Sequence, residues 1–107
     1  QWAHYQQSIT PELAMLYAIP NGGHRHKAVA AKMKAEGVKS GVLDVCLPVA
    51  RQGYHGLYIE MKYGRNKPTP EQQEWARRLT EQGYKTVFCW SFYEAKNELE
   101  EYLKWTN

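Results

Sequence analysis

Residues 41–62, GVLDVCLPVARQGYHGLYIEMK, constrain the fold more than any other part of the chain. Leu43, Val45 and Leu47 alternate with Asp44, Cys46 and Pro48, and Leu57, Ile59 and Met61 alternate with Tyr58, Glu60 and Lys62. Alternation with period two sends each apolar trio to one face and its complement to the other, so the stretch reads as two strands around a short turn. With Gln52 at the centre of that turn, hairpin register brings Asp44 opposite Glu60, and Lys62 shares the face of Glu60. Aspartate and glutamate are poor strand formers, and two carboxylates placed across a ladder repel. A cation between them turns the repulsion into binding. Two carboxylates beside a lysine suit Mg²⁺, which fills its remaining positions with water. The pattern therefore predicts a metal-dependent hydrolytic site. The plainer alternatives are a hydrogen-bonding strand end for Asp44, the only aspartate in the chain, and a simple ionic partner for Lys62.

The rest of the 107 residues reads as one domain, 1–107, without internal repeat, linker or low-complexity segment. A hydrophobic content of 43%, with 13% aromatic residues, is enough to bury a single core. No apolar run approaches the roughly 20 residues that span a bilayer, and no secretory signal is visible. Cys46 and Cys89 fall in apolar strand patterns without metal-ligand spacing, which predicts buried free thiols and a reducing, cytoplasmic setting. Net charge is +3, unevenly spread: residues 1–90 carry 12 Lys and Arg against 7 Asp and Glu, residues 91–107 only 2 against 4. The basic excess thus coincides with the candidate site, as a polyanionic substrate requires, although many small basic domains bind no nucleic acid.

In chain order, residues 1–7 read as the tail of a helix, and Pro11 interrupts any helix through residues 8–12. Residues 16–19 form a short apolar strand stopped by the turn sequence Pro20-Asn21-Gly22-Gly23. Residues 24–36 follow as a basic helix with Gly37 as its stop. The paired histidines His24 and His26 diverge at i,i+2 and lack a third ligand, which argues against a metal site there. Residues 63–68 form a basic loop carrying Arg65 and Lys67. Thr69-Pro70-Glu71-Gln72 is a capping box that opens a helix burying Trp75, Ala76 and Leu79 and ending at Gly83. Capping alone accounts for a glutamine at Gln72. Residues 85–90 form a further core strand. Ser91 and Glu94 make a second capping box, and the last helix turns Ala95, Leu99, Tyr102 and Leu103 inward. Trp75 and Trp90 read as core aromatics rather than stacking platforms.

Asp44, followed by Glu60-Met61-Lys62 on the next strand, resembles the D…(D/E)xK signature of the PD-(D/E)xK nucleases. NGGHR at 21–25, EGVKSGVLD at 36–44 and TPEQQEW at 69–75 stand around it in the order of the VRR-NUC branch, over roughly residues 16 to 103. Leu43 departs from the proline that the branch usually has before its aspartate. The family commonly carries a further glutamate on its first helix. None precedes Glu12, which suggests a start downstream of that residue. The resemblance implies a restriction-endonuclease-like α/β core, a central mixed β-sheet flanked by helices in the order α-β-α-β-β-α-β-α. It implies Mg²⁺ or Mn²⁺ held by Asp44, Glu60 and the Met61 carbonyl, with Lys62 catalytic and Gln72 directed toward the site. It also implies DNA as substrate, with contacts at Asn21, Arg25, Lys39, Ser40, Arg65 and Lys67. Compact members of the family suggest branched DNA such as Holliday junctions, a homodimer, and a bacterial or phage-infected cell. The competing reading, from another functional class, is a non-catalytic nucleic-acid-binding module on the same fold. An intact D…E-x-K set distinguishes the two.

Overall fold

The computed structural model describes residues 1–20, 37 and 39–104. Short-range signals account for most element ends. Helix α1 spans Trp2–Gln6, and a 3-10 turn with proline in its first positions spans Pro11–Met15. Strands β1 (Tyr17–Ala18), β2 (Val45–Leu47) and β3 (Leu57–Met61) are followed by helix α2 (Pro70–Glu81), strand β4 (Lys85–Cys89) and helix α3 (Phe92–Leu103). The helix expected over residues 24–36 lies outside the described residues.

Helix α2 begins and ends as its sequence dictates. The Thr69 hydroxyl accepts the Gln72 N–H at 3.1 Å, and the Gln72 side-chain oxygen accepts the Thr69 N–H at 3.0 Å. This reciprocal box satisfies two donors that a helix start leaves open. At the other end, Gly83 takes φ +92, its N–H reaches the Thr80 carbonyl and the Tyr84 N–H reaches that of Leu79. That is the paired closure a left-handed glycine permits. Helix α3 has only half of the expected box. Ser91 Oγ accepts the Glu94 N–H, but the Glu94 carboxylate reaches one residue further, to the Trp90 N–H at 2.9 Å.

The four strands lie side by side in the order β1-β2-β3-β4. The first two pairings are antiparallel; β3 and β4 run parallel, joined through α2. Parallel neighbours need such a crossover, and this one makes the sheet mixed. On one face, Leu47, Leu57, Ile59 and Cys89 pack with Leu13, Val49, Leu99 and Tyr102. The Tyr102 hydroxyl is satisfied by the Val49 carbonyl at 2.6 Å. Cys46 is also buried, although it alternates with the core-facing Leu47. A central strand covered on both sides has no exposed face.

The strand connection departs from a short turn. Nine residues separate β2 from β3, and within them Arg51 and Tyr54 form an isolated bridge around Gln52 and Gly53. Even so, Gln52 lies at the centre of the register, because Val45 faces Ile59 and Leu47 faces Leu57. Gln52 holds φ +54, unusual for a residue with a side chain, while its amide donates to the Glu101 and Tyr102 carbonyls at 2.8 and 3.3 Å. Those bonds cover two open carbonyls at the end of α3.

Candidate active site

The β2–β3 register, continued by one pair, sets Asp44 opposite Glu60. Asp44 stands just ahead of β2, and its Oδ2 accepts the Met61 N–H at 2.9 Å. One carboxylate thus spans the gap between the strands in place of a ladder bond. The loop before it is pressed onto α2: a Cβ on Gly41, whose φ is +83, would lie 2.7 Å from the Glu71 backbone carbon. No side chain fits there, so glycine lets the loop close on the helix that carries Gln72. Trp75 secures the same contact by donating its indole N–H to the Ser40 carbonyl at 3.0 Å.

Glu60 and Lys62 are the two buried charged residues of the described chain, 3% and 8% exposed. Gln72 stands between them. Its Nε2 donates to Glu60 Oε2 at 2.8 Å, and its Oε1 accepts from Lys62 Nζ at 3.0 Å. An amide carries a donor and an acceptor, so one side chain can serve both an anion and a cation. The same Oε1 also accepts the Thr69 N–H, which fixes the amide to the helix start. Capping and site-bridging are therefore one arrangement, not alternatives.

The other oxygen of Glu60 is left over. Oε1 is buried and makes no hydrogen bond of ordinary geometry among the described residues. An unsatisfied buried carboxylate oxygen is expensive, and the group responds by holding its proton. Burial first, and then the neighbouring Asp44 charge, push the Glu60 carboxyl up to about 7, against the opposing charge of Lys62. A divalent cation would supply what Oε1 lacks. Among the described residues no group of three or more His, Cys, Asp or Glu could hold a metal. Two carboxylates with a backbone carbonyl nonetheless fit Mg²⁺ or Mn²⁺, which retain several waters, better than they fit a transition-metal cage.

The structure thus brings together Asp44, Glu60, Met61, Lys62 and Gln72. The Met61 side chain packs against the core, leaving its backbone at the site. Arg65 and Lys67 lie exposed on the loop after Lys62, and Lys39 and Ser40 lie exposed before Gly41. Asn21 and Arg25 are outside the described residues, as are His24 and His26. Glu12 sits elsewhere, with its Oε2 2.6 Å from Arg51 Nη2 in the β2–β3 connection. Trp90 is not a core residue. β4 ends at Cys89, and the indole beyond it is 39% exposed. The signal was the strand-ending junction with Ser91, the N-cap of α3.

The sequence model of the VRR-NUC domain matches residues 3–92. A solved structure described as a VRR_NUC domain protein superposes with a TM-score of 0.75 at 31% identity, over 89% of this chain and 72% of that one. No curated protein matches the chain. No described helix is long and apolar enough to cross a membrane.

Proposed function

The chain belongs to the VRR-NUC family, a family of nuclease domains, and on that premise we propose that it is a divalent-metal-dependent endonuclease that hydrolyses DNA phosphodiesters. The observation that carries the reading is Glu60: buried, tied at one oxygen by Gln72, and open at the other beside Asp44. Asp44, Glu60 and the Met61 carbonyl would hold Mg²⁺ or Mn²⁺. A bound ion of this kind supplies positive charge at the scissile phosphate and a more acidic water. Lys62, whose ammonium donates to Gln72, would donate to the phosphate oxygens as charge develops on them. Gln72 holds acid and cation in fixed positions, so little reorganisation is needed during the reaction. The basic loop with Arg65 and Lys67 would track the backbone by phosphate contacts, along with Lys39, Ser40, Asn21 and Arg25.

We further propose branched DNA, four-way junctions in particular, as the preferred substrate, by analogy with compact members of the family. A symmetric junction requires two symmetric cuts, which points to a homodimer. The test is incubation with four-way junctions, flaps and linear duplex in Mg²⁺, Mn²⁺ or EDTA. Cleavage of branched DNA with either metal and none in EDTA is expected. Cleavage that persists in EDTA, or binding without any cut, would overturn the reading and leave a binding module.

A further inference from the structure

Two aromatic residues neighbour Lys62, one next in the chain and one across the β3–β4 ladder. Tyr63 follows it directly. Trp90 follows Cys89, whose carbonyl accepts the Lys62 N–H at 2.7 Å, and the β3–β4 register continued by one pair sets Trp90 beside Lys62. Tyr63 is 72% exposed and Trp90 39%. The loop between them is closed by the Asn66 N–H on the Tyr63 carbonyl at 3.0 Å.

Surface tryptophans commonly stay exposed because the indole N–H needs a partner in water. That reason does not apply here. The Trp90 Nε1–H donates to the Asn66 carbonyl at 2.8 Å, and its backbone N–H is held by the Glu94 carboxylate. Both polar groups are satisfied within the protein, yet ring surface remains open. The ring is held by its N–H and the backbone that carries it by Glu94, so ordering it against a ligand loses little entropy. Arg65 and Lys67 lie exposed on the same loop, giving the aromatic surface a cationic border. Aromatic faces edged by Lys and Arg suit an unpaired nucleotide, whose base stacks while its phosphates meet the cations. A paired base offers no such face, because its neighbours already cover it.

We propose that Trp90 and Tyr63 form a stacking platform for an unpaired base next to the phosphate being cut, so that the enzyme selects DNA with a single-stranded nucleotide at the cleavage point. This rests on the endonuclease reading and narrows its substrates to branches that present an unpaired nucleotide, as a flap does and a four-way junction does only where its crossover opens. Trp90 lies across the ladder from Lys62, where neighbouring strands are about 4.8 Å apart, and Tyr63 follows Lys62 at about 3.8 Å along the chain. A base on this platform therefore belongs to a nucleotide flanking the one that meets Lys62, not to a distant arm.

The experiment measures binding in EDTA to a flap duplex whose unpaired nucleotides are replaced one at a time by abasic sites. For the unaltered protein, one abasic position should weaken binding about tenfold, the scale of one base–aromatic stack. Trp90→Ala should weaken binding to intact DNA by a similar factor, and the abasic site should then cost nothing more. Trp90→Phe should restore most of the affinity. Tyr63→Ala, on a more exposed ring, should show the same coupling without disturbing the core. Tyr5→Ala, an exposed aromatic on α1, should show none. Additive losses, an equal loss on fully paired duplex, or no sensitive position would overturn the platform and leave the surface to a protein partner. Cleavage in Mg²⁺ is scored separately. Cutting without coupling removes the platform alone, whereas coupling without cutting removes the endonuclease reading alone.

Discussion

At the turn end of the β2–β3 hairpin, Arg51 is 18% exposed and meets Glu12 at 2.6 Å; at the open end, Glu60 is 3% exposed and meets a neutral amide and a second carboxylate. Among the described residues, each end leaves one buried polar atom without a hydrogen-bond partner, Arg51 Nε and Glu60 Oε1. Their chemistry separates them. A guanidinium keeps its proton at any ordinary pH, and Arg51 places its other nitrogens on Glu12 and on the Ala50 carbonyl. Arg51 is thus a structural cation with an opposite charge at hand. Glu60 lies beside Asp44, a like charge, and is separated from the Lys62 ammonium by the Gln72 amide, and its carboxyl is pushed up to about 7. One end uses a part-buried ion pair to hold the connection against the 3-10 turn. The other keeps buried charge under strain, as binding sites do.

The contrast can be broken by substitution, most sharply at the carboxylates. Asp44→Asn and Glu60→Gln should each reduce cleavage by on the order of 10³-fold, since a charged ligand to the proposed ion stabilises the transition state by several kcal/mol. Single-turnover rates check this, and near-normal rates would equate the two ends.

A second effect has the opposite sign. Because the folded carboxyl of Glu60 titrates near 7 rather than 4.5, the metal-free fold holds the extra proton and loses stability as pH rises between those values. The loss is complete above about pH 7 and amounts to about 3 kcal/mol at most. Glu60→Gln should therefore stabilise the protein in EDTA at pH 8 and change little at pH 4, read by urea unfolding. A stability profile identical to that of the unaltered protein would show that Glu60 is not strained.

Lys62→Ala comes next, with a loss of roughly 10²-fold in rate at saturating metal and nearly unchanged DNA affinity. Equal cleavage would reduce Lys62 to a screen for the carboxylates. The smallest effect belongs to the turn end. Glu12→Ala should cost about 1 kcal/mol, discounted for the exposure of the pair, and leave cleavage alone. Thermal unfolding beside a cleavage assay checks both halves.

Much of this was legible in residues 41–62. Alternation and a centre at Gln52 give the register that sets Asp44 against Glu60, because side-chain period and hairpin symmetry are local properties. The connection was not legible. Its shape depends on Tyr102 reaching the Val49 carbonyl and on Gln52 reaching the end of α3, contacts across about fifty residues of chain. The alternation assigns Glu60 a face but not its burial, which follows from α2 lying over that face. Gln72 was ambiguous between cap and site for the same reason, since only the packed helix shows its amide serving both. Trp90 reads as core when β4 is continued through it. Glu94, reaching its N–H rather than that of Ser91, caps the chain one residue earlier than the box pattern implies.

The most direct test of the central claim is Mn²⁺ affinity by titration calorimetry at pH 8, comparing the unaltered protein with Asp44→Asn, Glu60→Gln and Glu12→Ala. Both site variants should lose at least about tenfold, the scale of a group that orients or ligates a metal, while Glu12→Ala binds as before. Unchanged affinity in Asp44→Asn and Glu60→Gln would contradict the assignment of the two carboxylates to a metal.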